Sequence, residues 1–281
     1  MRLPLWLAQH IAALRALLVF TVLLGLAYPL AFVAIGKLPF LSERSDGSIV
    51  TVDGTAVGSR LIGQAFTDAD GNPVRKYFQS RPSAAGDGYD PTATAASNLG
   101  PEDVVDTADR KSLLTQVCAR SLAIGRLEGV AGSRPYCTSD GVGAVLAVFR
   151  RDGLTGPVTR VVSVNQTGAP FLARYDGVPV APARPGVDYV AAGGVITPIR
   201  GDAPAEPVVP ADAVTAGASG LDPDISPAYA ELQAPRVARE RGMPERSVRK
   251  LIAEYTDGRA LGFMGEPGVN VLELNLALDR G

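Results

Sequence analysis

The side chains that most often carry acid–base or metal chemistry are scarce in this sequence of 281 residues. Its single histidine, His10, precedes a long apolar segment, and no histidine follows it. A Ser-His-Asp or Cys-His hydrolase needs histidine as its base, and many zinc and copper sites need it as a ligand. The composition therefore excludes these classes of site from the region after the apolar segment. Two cysteines are also too few for a four-thiolate zinc site.

The two cysteines, Cys118 and Cys137, allow two interpretations. In an exported domain they could form a disulfide, which would close a loop of about 20 residues and contribute about 3 kcal/mol. Alternatively, Cys118 is a reduced core residue, because it lies at helical spacing from Leu114 and Val117 and unpaired cysteine is often buried. The sequence leaves both interpretations open.

Two groups of carboxylates could attract a cation. The stretch D-A-D-G-N at 68–72 looks like the start of a calcium loop, but Pro73 and Gln79 stand where that loop needs glycine and glutamate. We therefore expect an ordinary turn there. Asp87 and Asp90 lie in a polar stretch, where they could bind a cation or form the acid–base pair of an anchored enzyme. The simpler alternative is a solvated loop.

The sequence gives little support for a nucleic-acid-binding surface, a phosphate-binding loop or a phosphorylated aspartate. The 27 basic and 29 acidic residues nearly cancel, so there is no electrostatic footprint for nucleic acid. The sequence has no G-x-x-x-x-G-K-[ST] phosphate loop. It also lacks a phosphorylatable D-K-T-G stretch, so the chain is not itself the catalytic subunit of a P-type pump.

An apolar segment near the N-terminus determines on which side of a membrane the rest of the chain would lie. Residues 16–36 carry no charge and are long enough to cross a bilayer once. A signal peptide is the alternative, but the apolar stretch is long and no A-x-A site follows it. A slight positive-inside bias favours a cytoplasmic segment at 1–15 and an extracytoplasmic domain from residue 37 onward. Residues 38–281 carry a formal charge of about −5.

The sequence after the membrane segment predicts an α+β domain. Apolar residues around Asp53-Gly54 predict a hairpin with strands at 49–52 and through 57–61. Residues 79–101 are rich in Ser, Thr, Pro and Gly, which predicts a long loop. Residues 102–128 have an acidic start and an apolar face, which predicts a helix.

The second half begins with a segment rich in Gly, Pro and Val at 129–206, which predicts strands joined by turns. Further on, Ser226 is placed to cap a helix that has Pro227 at its first position and ends at Gly242. The spacing of apolar residues at 248–255 predicts another helix. The leucines at the end of the chain alternate, which predicts a strand, although a helix stays open for the final turn.

Six motifs occur in an order that is typical of one family. They are G-S-R-L-I-G-Q-A-F at 58–66, Y-F-Q-S-R-P-S at 77–83, S-N-L-G-P at 97–101, S-G-L-D-P-D-I-S-P at 219–227, Q-A-P-R-V-A at 233–238 and G-E-P-G-V-N-V-L-E-L-N-L-A-L-D at 265–279. Together with the membrane segment, they closely resemble the C subunit of the Kdp-type potassium-transporting P-type ATPase. The resemblance covers about 25–128 and 207–281, which would form the two parts of the family core at 37–128 and 207–281.

The resemblance implies an accessory subunit of a bacterial plasma-membrane pump that takes up K⁺. Its partners would be a channel-like potassium-binding subunit, the P-type catalytic subunit and a small peptide subunit. Family members have a single membrane span and an outer domain, and the chain would have no catalytic residues and no firmly bound cofactor of its own. The resemblance also implies a catalytic chaperone, which raises the ATP affinity of the catalytic subunit in a ternary complex with ATP.

The resemblance implies two sets of site residues. The nucleotide contacts would be Ser219, Gly220, Asp222 and Gln233. Further motif residues could contact other subunits, namely Gln64, Phe78, Arg81, Pro82, Ser83, Ser97, Asn98, Arg236, Asn270 and Asn275. Because ATP is cytoplasmic, a domain outside the membrane cannot touch it, and we therefore favour a structural role for the S-G-L-D stretch.

The sequence departs from the family pattern at two places. Residues 129–206 replace what is a short link in typical members, so they look like a β-rich insertion. Asp224 stands where many relatives carry His or Asn. Besides the pump subunit, two other functions stay open: a membrane-anchored extracellular binding protein acting alone, and the anchored carboxylate enzyme.

Overall fold

A computed structural model describes residues 4–85, 92–93, 99–166 and 168–280 of the chain. It has two units, one up to residue 61 and one from residue 62 onward. Ser97, Asn98, Asp87 and Asp90 lie outside the described residues. One apolar N-terminal helix and a mixed domain with several sheets confirm the predicted α+β class.

The first unit begins with a long apolar helix, α1 (Leu5–Gly36), which is long and apolar enough to cross a membrane and is not buried by protein. It is longer than the predicted segment at 16–36, because residues 5–15 contain no glycine or proline, and it begins directly after Pro4. A π-turn at Leu23–Ala27 comes just before Pro29. Proline has no N–H to continue the helical ladder, and a local change of helix pitch accommodates it.

A hairpin follows the helix, as predicted. After the short α2 (Ser42–Ser45), strands β1 (Ile49–Val52) and β2 (Thr55–Ser59) pair antiparallel. Asp53 and Gly54 at the turn both have positive φ, which matches the right-handed twist of the strands. The second strand ends at Ser59 and does not continue through residue 61 as predicted.

In the second unit, helix α3 begins later than predicted. It spans Leu113–Glu128, whereas the sequence indicated a start at residue 102. Ser112 is the N-cap, because its Oγ accepts the N–H of Thr115. Asp103, one of the acidic residues that indicated the earlier start, and the nearby Asp106 instead accept hydrogen bonds where the helix actually begins. Asp103 accepts the N–H of Leu113, and Asp106 accepts the N–H of Ser112.

A five-stranded sheet lies within residues 129–206, where strands were predicted. Its order is β5-β6-β4-β3-β7, and only β4 and β6 are parallel. Alternate residues pack on its two faces, so that it has its own apolar clusters, one around Leu146 and Val161 and one around Ala147 and Val162. The strands are β3 (Val145–Asp152), β4 (Thr155–Ser163), β5 (Arg174–Tyr175), β6 (Val178–Pro182) and β7 (Val195–Pro198).

The remaining elements enclose a second core. Short α4 (Ala211–Val214) leads to α5 (Pro227–Arg241), which has the predicted Ser226 cap and ends at Gly242 with a left-handed φ. Helix α6 (Glu245–Glu254) follows, in the predicted region. Three short antiparallel strands form a sheet of order β8-β10-β9. They are β8 (Asp224–Ile225), β9 (Thr256–Asp257) and β10 (Gly268–Asn270).

The predicted strand at the C-terminus is wrong. Only β10 is extended, and Val271–Arg280 forms helix α7. Asn270 starts this helix, because its Oδ1 accepts the N–H of Glu273. Val271, Leu274 and Leu278 share one buried face of this helix. Leu274 and Leu278 are four residues apart, and this spacing fits both a helix face and the alternation of a strand.

Candidate functional site

Most of the predicted motif residues meet at an irregular segment, residues 62–85, which packs against helices α5 and α7. This segment forms only isolated bridges and no strand ladder. Its buried N–H and C=O groups therefore need side-chain partners. The motif residues of the two helices supply them.

Gln233 on α5 is completely buried and bonds both backbone groups of Gln79. Its Oε1 accepts the N–H of Gln79 at 2.7 Å, and its Nε2 donates to the carbonyl of Gln79 at 3.1 Å. One side-chain amide thus takes the place of a neighbouring strand. Since Gln233 is completely buried and both ends of its amide are bonded inside the domain, it presents no group to solvent.

Asn275 on α7 makes the same arrangement with Phe78. Its Oδ1 accepts the N–H of Phe78 at 2.8 Å, and its Nδ2 donates to the carbonyl of Phe78 at 3.0 Å. The Phe78 ring is fully buried in the core. Two amides from two helices therefore fix two consecutive residues of the irregular segment.

Arg236 lies one turn after Gln233 and is also buried. Its Nε donates to the carboxylate of Glu128 at 3.0 Å, at the end of α3. Its remaining donors reach the carbonyls of Arg75 and Tyr77 and the Oε1 of Gln233. Burial raises the pKa of Glu128, and the Arg236 guanidinium counteracts this effect.

Two members of this network were missed in the sequence. Gln79 lies inside the Y-F-Q-S-R-P-S motif, and its Nε2 donates to the carbonyls of Phe66 and Val74. Glu128 is the partner of Arg236. The position of Gln79 in the middle of this motif could have indicated that it takes part. Nothing in the sequence indicated Glu128, since 108 residues separate it from Arg236.

The S-G-L-D stretch forms a second, more accessible group. Arg81 and Asp222 form an ion pair at 2.8 Å, and both side chains are partly exposed. Gly220 has a positive φ, and Ser219 accepts the N–H of Leu221, so these residues form the turn that precedes Asp222. Asp222 is exposed and Ser219 is half-buried, whereas Gly220 and Gln233 are buried.

The rest of the 77–83 motif pairs with the same region. The carbonyl of Pro82 accepts the N–H of Gly217, and Ser83 forms a parallel bridge with Gly217. At the other end of the irregular segment, the carbonyl of Gln64 accepts the hydroxyl of Ser80 at 2.9 Å. The contacts with Gly217 hold the motif against the segment before β8, and the contact with Gln64 holds it against the start of the irregular segment.

Asn270, at the start of α7, bonds Asp224, the residue that stands where many relatives carry His or Asn. Its Nδ2 donates to Asp224 at 3.1 Å. Burial raises the pKa of Asp224, the bond from Asn270 opposes this, and the nearby charges of Asp257, Glu273 and Asp222 raise the pKa further. Acidic side chains therefore gather at the three-stranded sheet.

The structure also describes the predicted turn and the two cysteines. The Oδ1 of Asp68 accepts the N–H groups of Asp70 and Asn72, as in an ordinary Asx turn. Within the described ranges, no group of three or more His, Cys, Asp or Glu side chains could hold a metal. A disulfide joins Cys118 on α3 to Cys137, and the two Cα atoms are 5.4 Å apart.

Comparisons with known proteins identify similar chains. The family model described as K⁺-transporting ATPase, c chain, matches residues 10–121 and 195–280. The potassium-transporting ATPase KdpC subunit of Kineococcus radiotolerans is 41% identical over 272 residues, which are 97% of this chain and 93% of that subunit. The KdpC subunit of Mycobacterium tuberculosis is 36% identical over 97% of this chain and 98% of its own length. That of Koribacter versatilis is 35% identical over 92% and 88%.

Proposed function

Because this chain belongs to the family of C chains of the K⁺-transporting ATPase, we propose that it is the accessory subunit that stabilises the pump from outside the plasma membrane. Residues 16–36 of helix α1 would be its single membrane span, with residues 1–15, which include the first part of the helix, in the cytoplasm. Its partners would be the channel-like potassium-binding subunit, the P-type catalytic subunit and the small peptide subunit. K⁺ would be the ion transported by the complex, and no step of the chemistry would use a side chain of this subunit.

The disulfide between Cys118 and Cys137 is the observation that carries the outside location. Disulfides persist in oxidising compartments and are rare in the cytosol, where thiols are kept reduced. A domain that depends on this bridge is therefore suited to the outer face of the membrane. The single apolar helix ahead of the domain agrees with this arrangement.

We also propose that any effect on ATP affinity is indirect. The amide of Gln233 bonds the backbone of Gln79 and the side chain of Arg236, and Arg236 is otherwise occupied by Glu128 and backbone carbonyls. These residues support a role in holding the domain together. A chaperone effect would then pass through contacts with the other subunits and not through contact between this domain and ATP.

We propose further that residues 129–206 are an insertion in the family core. The family model leaves residues 122–194 unmatched, and β3, β4, β5 and β6 lie in this range. The alignments with whole relatives nevertheless extend over nearly the full chain. The insertion would therefore be shared by a subset of the family, to which these relatives belong.

Two experiments test the proposed function. Deleting the chain should destabilise the pump and abolish growth at limiting K⁺, and normal assembly without it would refute the role. A reporter that is active only outside the cytoplasm, fused to the C-terminus, should be active. A cytoplasmic result would overturn the location and would let ATP reach Ser219 and Asp222, although not the buried Gly220 and Gln233.

A further inference from the structure

We propose that the loop between β9 and β10, residues 258–267, is a docking knob that inserts into an apolar, basic-rimmed pocket on another subunit of the pump. We call this loop the knob. The inference rests on the proposed function, because it names the surface through which the accessory subunit would be held.

The knob exposes three large apolar side chains within four residues of sequence. Leu261, Phe263 and Met264 are 82%, 72% and 52% exposed. Single exposed apolar residues are ordinary, but a contiguous apolar patch on a folded domain marks an interaction site. Large apolar anchors that fill a pocket also supply most of the affinity in typical protein interfaces.

Hydrogen bonds hold the knob in a fixed shape. Ala260 and Met264 exchange two backbone hydrogen bonds of 2.9 Å, and the N–H of Gly262 donates to the carbonyl of Arg259 at 3.0 Å. Leu261 has a φ of +54°, a left-handed conformation that is unfavourable for a bulky side chain. A shape fixed before binding lowers the entropic cost of association.

Charge favours a protein pocket over a lipid surface. Arg259 is the only basic residue of the knob, and Glu266 neutralises it at 2.6 Å. The sheet that carries the knob has acidic side chains at Asp224 and Asp257, close enough to repel each other. Segments that lie on lipid surfaces use unpaired Lys and Arg, so the surroundings of the knob fit a basic rim on a partner protein.

Photo-crosslinking in the intact membrane tests the partner. A photoreactive amino acid would replace Phe263 in the full chain, co-expressed with the other three subunits. A matched control would carry it at Leu154, which is 80% exposed on the β3–β4 hairpin. We expect position 263, and not position 154, to give a covalent product with a protein subunit of the pump. A lipid adduct alone, or no product in an assembled pump, would overturn the inference.

Substitution provides a second readout. We expect the Leu261→Gly/Phe263→Ser variant to lower the amount of this subunit retained on the purified pump by at least about tenfold, a loss of roughly 1.4 kcal/mol of binding. Glycine at 261 suits the positive φ, so the variant should unfold at the temperature of the unmodified chain. Leu154→Ser should leave retention unchanged. Equal retention of both variants would contradict the inference.

These outcomes separate the inference from the function on which it rests. If the unmodified chain does not co-purify with the pump, the proposed function itself fails. If the chain co-purifies and position 263 gives no protein crosslink, only the knob is excluded as the contact.

Discussion

Gln233 and Asn275 each use one amide to bond both backbone groups of a single residue in the irregular segment 62–85. An amide is suited to this because it carries a donor and an acceptor side by side, as a neighbouring strand would. The motif residues of the two helices therefore determine the path of a segment that has no secondary structure of its own.

Removing the amide of Gln233 should destabilise the domain. In Gln233→Ala the N–H and C=O of Gln79 lose their partners in a buried place, and we expect a loss of about 1–3 kcal/mol. Denaturant unfolding of the full chain in detergent measures it. Gln116→Ala is the matched control, since Gln116 bonds at the surface of α3. Equal losses in the two variants would argue against a special role for Gln233.

Asp224 should make stability depend on pH. Burial and the charges of Asp257, Glu273 and Asp222 raise the pKa of Asp224 in the folded state. The folded state then holds the proton more tightly than the unfolded state, so stability falls as pH rises from the ordinary carboxyl range through the raised pKa.

Asp224→Asn should therefore stabilise the domain at neutral pH, by less than about 1 kcal/mol because the site is partly open to solvent. The gain should disappear at low pH, where the carboxyl is already neutral. Thermal unfolding across a pH series measures both. Asp176→Asn, in an exposed turn, is the control and should show no such trend. A gain that is constant with pH would contradict this cause.

At the scale of elements, local signals predicted some boundaries well. Helix α5 begins and ends as the Ser226, Pro227 and Gly242 signals indicate, because its cap bonds are made within a few residues. The hairpin at Asp53-Gly54 is local in the same way. Its second strand was overextended, since nothing in the sequence of that strand specified where pairing ends.

Other elements depend on contacts that are distant in sequence. Helix α7 was predicted as a strand because its leucines alternate, and only the packing of its buried face decides between the two periods. The motif residues themselves were recognised, but their pairings were not. The Gln79–Gln233 contact joins residues 154 positions apart, and no local rule predicts such a pairing.

The disulfide joins two elements, because it links α3 to the segment that leads into β3. Cys118→Ser/Cys137→Ser should lower the free energy of unfolding by about 3 kcal/mol, since the bridge closes a loop of about 20 residues. Unfolding of the unmodified chain with reductant should approach the same value. If reductant has no effect on the unmodified chain, the bridge is absent or contributes nothing.

At the scale of the whole molecule, the second unit has separate apolar cores. The core around α5, α6 and α7 contains no residue from the five-stranded sheet, which has clusters of its own. The chain also enters and leaves the sheet at one place, because the N–H of Tyr136 donates to the carbonyl of Arg200 at 2.9 Å. Further contacts to the rest of the unit are the hydrogen bond from the N–H of Gly143 to Thr115 on α3 and the bonds of Asn165 to the backbone at 104–106.

This arrangement predicts that the sheet can be removed. In a shortened chain, residues 137–199 would be replaced by a short glycine linker between Tyr136 and Arg200, with Cys118→Ser to avoid a free thiol. We expect cooperative unfolding with a free energy close to that of the disulfide-free double variant, because both lose the same cross-link of about 3 kcal/mol. The loop at 104–106 should become more accessible to protease, since Asn165 bonds its backbone. A shortened chain that does not fold cooperatively would mean that the sheet is part of the core fold and not an insertion.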